Sequence, residues 1–305
     1  MRPLKVGVQL PEVERRVAWP ELLTMARRAE EGGFDSLWLG DHLLYDLPGG
    51  ITRGPWEVWT SLAAVAAVTK RVELGPFVAS TGFHAPAMVA KMAATVDGIS
   101  GGRLVLGLGA GWNAREYAAF GFPFDARVSR FEEAFTVIRQ LLREGRSDFH
   151  GRYHEVTDCV LDPPPTRPGG PPLMIGSTGP RMLGITLPHA DLWNSWWSDY
   201  GNTVAGFTAL RARVEMAAAA AGRGPGEVAA TAAVLVGFED GVGRLMGDSA
   251  YAAGVRPVPG DATALAEHLH GLAAAGCMHA MLVLDPITES SIARAAEALA
   301  LLDRP

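Results

Sequence analysis

The stretch that decides the fold is SGGRLVLGLGAGW, residues 100–112. Its first residues end a helical pattern that begins at Pro86, and residues 103–108 are an apolar run typical of a buried strand. The glycines that close the stretch predict a bend directly after that strand. Helix, strand and bend form one unit of an alternating α/β chain.

The same alternation runs through the rest of the chain. Strand-like runs occur at residues 5–10, 36–39, 72–79, 103–108, 173–176, 191–194, 229–237 and 279–284. Helical patterns follow them at residues 19–31, 58–69, 86–99, 127–143, 181–188, 204–221, 262–275 and 289–302. Such alternation predicts an α/β protein with a parallel sheet, and eight units in 305 residues favour one closed (β/α)8 TIM barrel. A doubly wound open sheet is the alternative.

Residues 145–172 break this rhythm because they are polar and rich in proline. We interpret them as an excursion from the barrel after the fourth βα unit, with a hairpin around Gly151, and not as a domain boundary. One domain over residues 1–305 is therefore expected. Residues 241–260 show no regular pattern, so we expect them to be irregular.

Composition excludes several classes of protein. The net charge is -6 and no basic stripe stands out, so a nucleic-acid partner is not expected. Cys159 and Cys277 form neither a disulfide framework nor a metal-ligand spacing, so no metal is expected. The chain shows no apolar run of membrane-spanning length and no signal-peptide pattern, which makes a cytoplasmic location without a membrane partner the expectation.

In a barrel the site is built from the loops that follow the strands. Asp41 and His42 follow strand 2 and form a candidate acid/base or cofactor-positioning pair, although a capping aspartate beside a surface histidine is the alternative. Thr81 and His84 follow strand 3 and suit the wall of a pocket for a flat ring, although a simple βα loop explains them as well.

Glycines follow strands 4 and 5. Gly109, Ala110 and Gly111 precede Trp112, and glycines there allow a ligand to approach the backbone, although a bend without a ligand is the alternative. The turn Gly176-Ser177-Thr178-Gly179 precedes a helix that carries Arg181, and it predicts an anion site or an ordinary helix cap.

Strand 6 is followed by an aromatic cluster. Trp193, Trp196 and Trp197 lie within five residues and cannot all share one core, so we expect at least one of them to line a pocket or an interface. A flat aromatic cofactor that carries a phosphate explains the residues after strands 2, 3, 4, 5 and 6 together.

These segments, taken together, resemble the luciferase-like monooxygenase and F420-dependent oxidoreductase superfamily. The resemblance is carried by AEEGGFDSLWLGDH (residues 29–42), WTSLAA (59–64), AKMAATVD (90–97), SGGRLVLGLGAGW (100–112), IGS (175–177) and ADLWN (190–194).

The resemblance implies a TIM barrel with coenzyme F420 or FMN across the strand ends, a small-molecule substrate and often a homodimer. Asp41 and His42 match the pair that contacts the deazaflavin, and the histidine can act in proton transfer. A non-prolyl cis peptide is implied near residues 77–79, which places Val78 and Ala79 beside the cofactor. The strand 4 glycine turn would lie by the ring, and the strand 5 turn would hold the phosphate.

One departure narrows the activity. Sugar-phosphate dehydrogenases of this family carry a glutamate after the strand 4 glycines, whereas Trp112 stands there in this sequence, so that activity is disfavoured.

The resemblance therefore implies an F420-dependent oxidoreductase that transfers a hydride between the deazaflavin and a small organic substrate. His42 would relay a proton, and Asp41 would fix its tautomer or contact the ring. His84, Trp112 and Trp196 are candidates for the substrate side. The alternatives are an FMNH2-dependent monooxygenase of the same fold and a non-catalytic flavin-binding protein. The loops at residues 43–56, 114–127, 195–203 and 238–260 are expected to shape the substrate pocket.

Overall fold

The computed structural model describes residues 2–241 and 254–303. The helices are α1 (Trp19–Glu31), α2 (Val58–Val68), α3 (Pro86–Ser100), α4 (Ala114–Phe120), α5 (Arg127–Glu144), α6 (Pro180–Thr186), α7 (Val204–Ala220), α8 (Ala262–Ala274) and α9 (Glu289–Leu302). The strands are β1 (Lys5–Gln9), β2 (Ser36–Leu39), β3 (Tyr45–Leu47), β4 (Ile51–Arg53), β5 (Glu73–Pro76), β6 (Ala79–Ser80), β7 (Leu106–Gly109), β8 (Arg146–His150), β9 (Glu155–Val160), β10 (Leu173–Gly176), β11 (Leu192–Ser195), β12 (Ala229–Gly237), β13 (Val258–Pro259) and β14 (His279–Asp285). Most of the stretch that we expected to be irregular, residues 242–253, lies outside the described residues. Within its described part the expectation is wrong at residues 258–259, because β13 pairs with the end of β12.

The main sheet is a closed parallel barrel. Its strands follow the order β5-β2-β1-β14-β12-β11-β10-β7-β6, and β5 and β6 are the two halves of the third barrel strand. Leu74 of β5 forms a parallel bridge with Leu104, two residues before β7. Both halves of the third strand therefore lie beside the fourth, and the barrel closes between them. The predicted TIM barrel is confirmed, and the alternative of an open doubly wound sheet is wrong.

Burial on both faces explains why the strands read as apolar runs. β14 is buried along its whole length, and so are the seven central residues of β12 beside it. Parallel strands covered by helices on one side and by the barrel interior on the other carry this pattern.

A polar network lies inside this apolar barrel, near the N-terminal ends of the strands. The Ser36 hydroxyl accepts a hydrogen bond from Trp38 Nε1 at 2.7 Å and lies 2.7 Å from His279 Nε2. Burial lowers the pKa of His279 to about 3, so its imidazole is neutral at physiological pH. The network satisfies polar groups that would otherwise be buried at a cost.

The third barrel strand is interrupted. We predicted one continuous strand over residues 72–79, but the Phe77–Val78 peptide bond is cis, and it separates β5 from β6. The cis bond implied by the family resemblance is therefore confirmed at its expected position.

The excursion after the fourth unit contains the antiparallel hairpin β8–β9, as predicted around Gly151. Glu133 of α5 holds the hairpin turn, because its carboxylate accepts hydrogen bonds from the backbone N–H groups of Arg152, Tyr153 and His154.

Two further elements were not predicted from the sequence. The antiparallel hairpin β3–β4 follows β2, and the short helix α4 follows β7. Both lie in stretches that we expected to be irregular loops, and both stand at the C-terminal end of the barrel. Within the described ranges, no helix has the length and hydropathy needed to cross a lipid bilayer.

Candidate functional site

Asp41 is a buried carboxylic acid directly after β2. Its side chain is 3% exposed, and its Oδ2 accepts a hydrogen bond from the Ser80 backbone N–H at 2.8 Å. Burial raises the pKa of Asp41 to about 7, and the carboxylates of Glu57 and Glu116 act in the same direction, whereas the Ser80 hydrogen bond and His42 oppose the shift. The group can therefore change its protonation state near neutral pH.

His42 is hydrogen-bonded to a carboxylate from a different part of the chain. Its Nδ1 lies 2.8 Å from Oε1 of Glu116 in α4, and the Glu116 side chain is completely buried. Asp41 was expected to fix the tautomer of His42 or to contact the cofactor ring. The carboxylate at His42 Nδ1 is instead that of Glu116, and Asp41 Oδ2 accepts from the Ser80 N–H, whereas a contact of Asp41 with a cofactor ring stays a prediction.

Several carboxylates surround the His42 ring. Burial alone would lower the pKa of His42, but the hydrogen bond to Glu116 and the negative charges of Glu12, Glu116 and Asp41 raise it above the usual range overall. The imidazole therefore keeps a proton more readily than an exposed histidine does.

Aromatic rings cover His42. The Tyr45 ring centroid lies 4.6 Å from that of His42, and the Trp112 ring meets His42 edge-to-face at 5.6 Å. Trp112 is 51% exposed although it belongs to this cluster, so one side of its indole remains available to a ligand.

Glycines of β7 and β10 pack against Val78, the residue that follows the cis peptide bond. A Cβ atom added to Gly109 would lie 2.8 Å from Val78 Cγ2, and one added to Gly107 would lie 2.9 Å from Val78 Cγ1. Gly176 at the end of β10 allows a similar approach at 3.3 Å. A Cβ atom at Gly107 or Gly109 of β7 would therefore require Val78 to move, whereas one at Gly176 of β10 would only make a tight contact.

The segments after the third and fourth strands are hydrogen-bonded to each other. The Tyr117 hydroxyl of α4 donates to the Ala110 carbonyl at 3.0 Å and lies 2.8 Å from Ser80 Oγ. The Thr81 hydroxyl donates to the Gly109 carbonyl at 3.3 Å. Gly111 has a positive φ of 72°, and a side chain there would overlap the Tyr117 hydroxyl.

The turn after β10 lies at the same end of the barrel. The backbone N–H of Gly179 makes only a long bond, 3.4 Å, to Ser177 Oγ, and Thr178 is half-buried. Arg181 does not face this turn, because it pairs with Glu132 of α5 at 3.0 Å. The backbone and hydroxyl groups, and not the arginine, are what the turn offers to an anion.

The remaining candidates stand apart from His42. The Trp196 side chain is half-buried, and its ring centroid lies 5.6 Å from that of Phe77, whose peptide bond to Val78 is cis, whereas Trp193 and Trp197 are buried. Burial lowers the pKa of the half-buried His84, and the nearby Glu57 carboxylate opposes that shift.

The structure thus brings most of the predicted residues together. Hydrogen bonds, ring contacts or close packing connect Asp41, His42, Val78, Ala79, Thr81, Gly109, Ala110, Gly111, Trp112 and Gly176 within the barrel mouth. A separate cavity of about 540 Å³ lies on the outside of the barrel between α6 and α7, and Thr178 is the member of the candidate site that reaches it. In residues 2–241 and 254–303, no cluster of three or more His, Cys, Asp or Glu side chains has the arrangement of a metal site.

Glu116, the partner of His42, was not among the residues predicted from the sequence. The signal for it was available, because Asn113, Glu116 and Gly121 have the spacing of a helix cap, its third helical residue and a helix-ending glycine. That pattern predicts a short helix after the glycine bend, which would have placed a carboxylate at the barrel mouth.

Comparison with known proteins shows the family. Residues 5–274 match the model of the luciferase-like monooxygenase family. The chain belongs to this family. The resemblance that we inferred from the sequence is therefore confirmed.

Two curated members of the luciferase-like family illustrate its range. Pyrimidine monooxygenase RutA of Cronobacter sakazakii is 35% identical over 209 residues, which cover 67% of this chain and 56% of that protein. The F420-dependent glucose-6-phosphate dehydrogenase of Amycolatopsis mediterranei is 37% identical over 166 residues, which cover 52% of this chain and 48% of that protein. The chain thus spans about half the length of these curated relatives.

A solved structure supports the fold over the full length. An F420-dependent secondary alcohol dehydrogenase, in complex with an F420–acetone adduct, superimposes with a TM-score of 0.82 over 100% of both chains. Its sequence is 19% identical, so the likeness concerns the fold alone.

Proposed function

We propose that this protein is an F420-dependent oxidoreductase that transfers a hydride between the deazaflavin and a small organic substrate at the C-terminal mouth of the barrel. The observation that carries the proposal is the His42–Glu116 hydrogen bond beside the half-exposed Trp112. Hydride transfer to a carbonyl-type carbon leaves negative charge on its oxygen, and a histidine with a raised pKa is suited to supply the proton.

The described residues fit a flat cofactor at this mouth. The Val78 side chain lies uncovered at the barrel mouth, because the neighbouring glycines of β7 and β10 have no side chains to cover it. Among the described residues, Gln9 Oε1, Trp197 Nε1 and Ser198 Oγ are buried without a hydrogen-bond partner, and they follow or end β1 and β11 at the same end of the barrel. Buried polar atoms of this kind are expected where a ligand completes the hydrogen bonding.

The mechanism assigns a separate task to each group. A bound deazaflavin would supply the hydride. His42 gives a proton to the substrate oxygen, or takes it back in the reverse direction. Asp41 fixes the backbone of Ser80, and Tyr45 and Trp112 limit the access of water to the imidazole. The turn after β10, residues 176–179, would hold the cofactor phosphate through its backbone N–H groups.

Titration of the purified protein with F420 and with FMN, followed by ligand fluorescence, tests this proposal. We expect F420 to bind at least about tenfold more tightly than FMN. The Gly109→Ala variant should weaken F420 binding about tenfold or more, because the new Cβ must displace Val78. Gly98→Ala, in α3, is the matched control, since its Cβ meets no atom within 4 Å.

Other outcomes of the titration would overturn the proposal. Tighter binding of FMN than of F420 would favour a flavin-dependent monooxygenase, the activity named for the RutA relative. Binding without turnover over a broad panel of carbonyl and alcohol substrates would favour a non-catalytic flavin-binding protein. For any substrate that is found, His42→Gln should lower kcat by about 10² to 10⁴, and an unchanged kcat would remove His42 from the mechanism.

A further inference from the structure

Glu116 makes a contact that its position in the helix does not predict. It is the third residue of α4, and Asn113 is the N-cap. A glutamate at this position ordinarily turns back to the backbone N–H of the cap residue. Here its Oε1 lies 2.8 Å from Nδ1 of His42, which belongs to the loop after β2.

The carboxylate of Glu116 is itself held in place. Asn113 Nδ2 donates to Oε1 at 2.6 Å and also donates to the Leu44 carbonyl at 3.2 Å. The Leu43 backbone N–H approaches Oε2 at 3.4 Å. The amide therefore connects the start of α4 to the segment that carries His42, and the Glu116 side chain has no exposed surface. A fixed, fully buried acceptor orients its partner more strictly than a mobile surface carboxylate does.

We propose that Glu116 is the positioning residue for His42, because its carboxylate accepts the Nδ1 proton and so makes Nε2 the nitrogen that exchanges a proton with the substrate. This inference rests on the proposed function. A neutral imidazole carries one N–H, and the group that accepts it decides which nitrogen keeps a free lone pair. The proton moves with no other bond change on the protein: the Nε2–H bond breaks, its electron pair stays on Nε2, and the substrate O–H bond forms.

Three other titratable groups face the ring besides Glu116. Glu12 follows β1, Asp41 precedes His42 in the chain, and the Tyr45 phenol belongs to β3. Glu12 and Asp41 act on His42 through charge, whereas Glu116 also forms a hydrogen bond to it. The hydrogen bond of Glu116 to Nδ1 therefore favours the tautomer that carries the proton on that nitrogen.

Nuclear magnetic resonance of the protein labelled with ¹⁵N-histidine, without any cofactor, tests the inference. Above its titration midpoint, His42 of the unmutated protein should be the Nδ1–H tautomer. The Glu116→Gln variant should lower the His42 midpoint by about one pH unit or more and reduce the Nδ1–H fraction. Glu116→Asp keeps the charge at a longer reach, and it should give intermediate values.

Asp46→Asn is the matched control, because it removes an exposed carboxylate that pairs with Arg115, the neighbour of Glu116 in α4. It should shift the His42 midpoint by no more than about 0.3 pH unit. A predominant Nε2–H tautomer in the unmutated protein would overturn the inference, even if neither Glu116 variant folds. An unchanged His42 midpoint in Glu116→Gln would overturn it as well.

The F420 titration distinguishes the failure of this inference from the failure of the proposed function. If the tautomer and midpoints agree with the inference but F420 does not bind, the positioning role of Glu116 is supported and the proposed F420-dependent hydride transfer is wrong. If F420 binds and is turned over but the His42 midpoint is unchanged in Glu116→Gln, the proposed function is supported and the positioning role of Glu116 is wrong.

Discussion

At the residue scale, Asp41 is the group whose protonation is most strongly altered by burial at the barrel mouth. Its pKa is about 7 in the folded protein and about 3.8 in an unfolded chain. Between these values the folded state binds the extra proton. The free energy of unfolding therefore falls as pH rises from about 4 to about 7 and levels off above that range.

We therefore predict that Asp41→Asn removes this part of the pH dependence. The stability gained by the variant relative to the unmutated protein should be about 2 kcal/mol larger at pH 8 than at pH 5, measured by denaturant unfolding at both values. Asp46→Asn is the control: hydrogen bonding from Thr52 lowers the pKa of that exposed carboxyl, so it stays ionised over the whole range. Parallel pH profiles for Asp41→Asn and the unmutated protein would contradict the prediction.

Sequence alone identified Asp41 and His42 but not their partners. A dipeptide after a strand indicates that both side chains lie near the barrel mouth, because the connectivity of a barrel puts every such loop there. Which nitrogen of His42 is engaged, and by which carboxylate, depends on a contact that spans 74 residues of sequence. No local pattern encodes such a contact.

At the element scale, Arg103 joins the ends of three elements at the opposite end of the barrel from the candidate site. Its guanidinium donates to the backbone carbonyls of Ala66, Thr69, Val72 and Ser100 and to the Thr69 hydroxyl, at distances from 2.7 to 3.1 Å. It thereby binds the C-terminal end of α2, the last residue of α3 and Val72, which directly precedes β5. The planar fork of arginine is what reaches all of these acceptors.

Arg103→Lys should therefore lower the stability by about 2 to 3 kcal/mol, seen as a fall in Tm of about 3 to 5 °C. F420 binding should not change, because the substitution lies at the other end of the strands. Arg28→Lys is the control, since its side chain is 62% exposed and its pair with Glu31 is long at 3.5 Å. A loss of F420 binding without a loss of stability would contradict this division between the two ends of the barrel.

The strands and long helices could be predicted because burial imposes a period on each of them. The hairpin β3–β4 and the helix α4 show no such period, since three-residue strands and a seven-residue helix are too short for one, and α4 is signalled only by its cap residues Asn113 and Gly121. Tertiary contacts hold them in place instead: Asn113 at the start of α4 donates to the Leu44 carbonyl before β3, and Arg53 of β4 donates to the carbonyls of Val13 and Glu14.

At the scale of the whole molecule, the barrel separates stability from chemistry. The Ser36–His279 network and Arg103 lie at the N-terminal ends of the strands. Asp41, His42 and the glycines that pack against Val78 lie at the C-terminal ends. This is the division expected of a TIM barrel. The homodimer stays a prediction of the family resemblance, and gel filtration with light scattering would test it.

One measurement tests the central claim most directly: the crystal structure of the protein after soaking with F420 and, separately, with FMN. We predict density for the deazaflavin ring against Val78 and Trp112, with His42 Nε2 facing it and the phosphate at residues 176–179. Density at any other place in the fold, such as the cavity between α6 and α7, or ordered FMN with no ordered F420, would contradict the account.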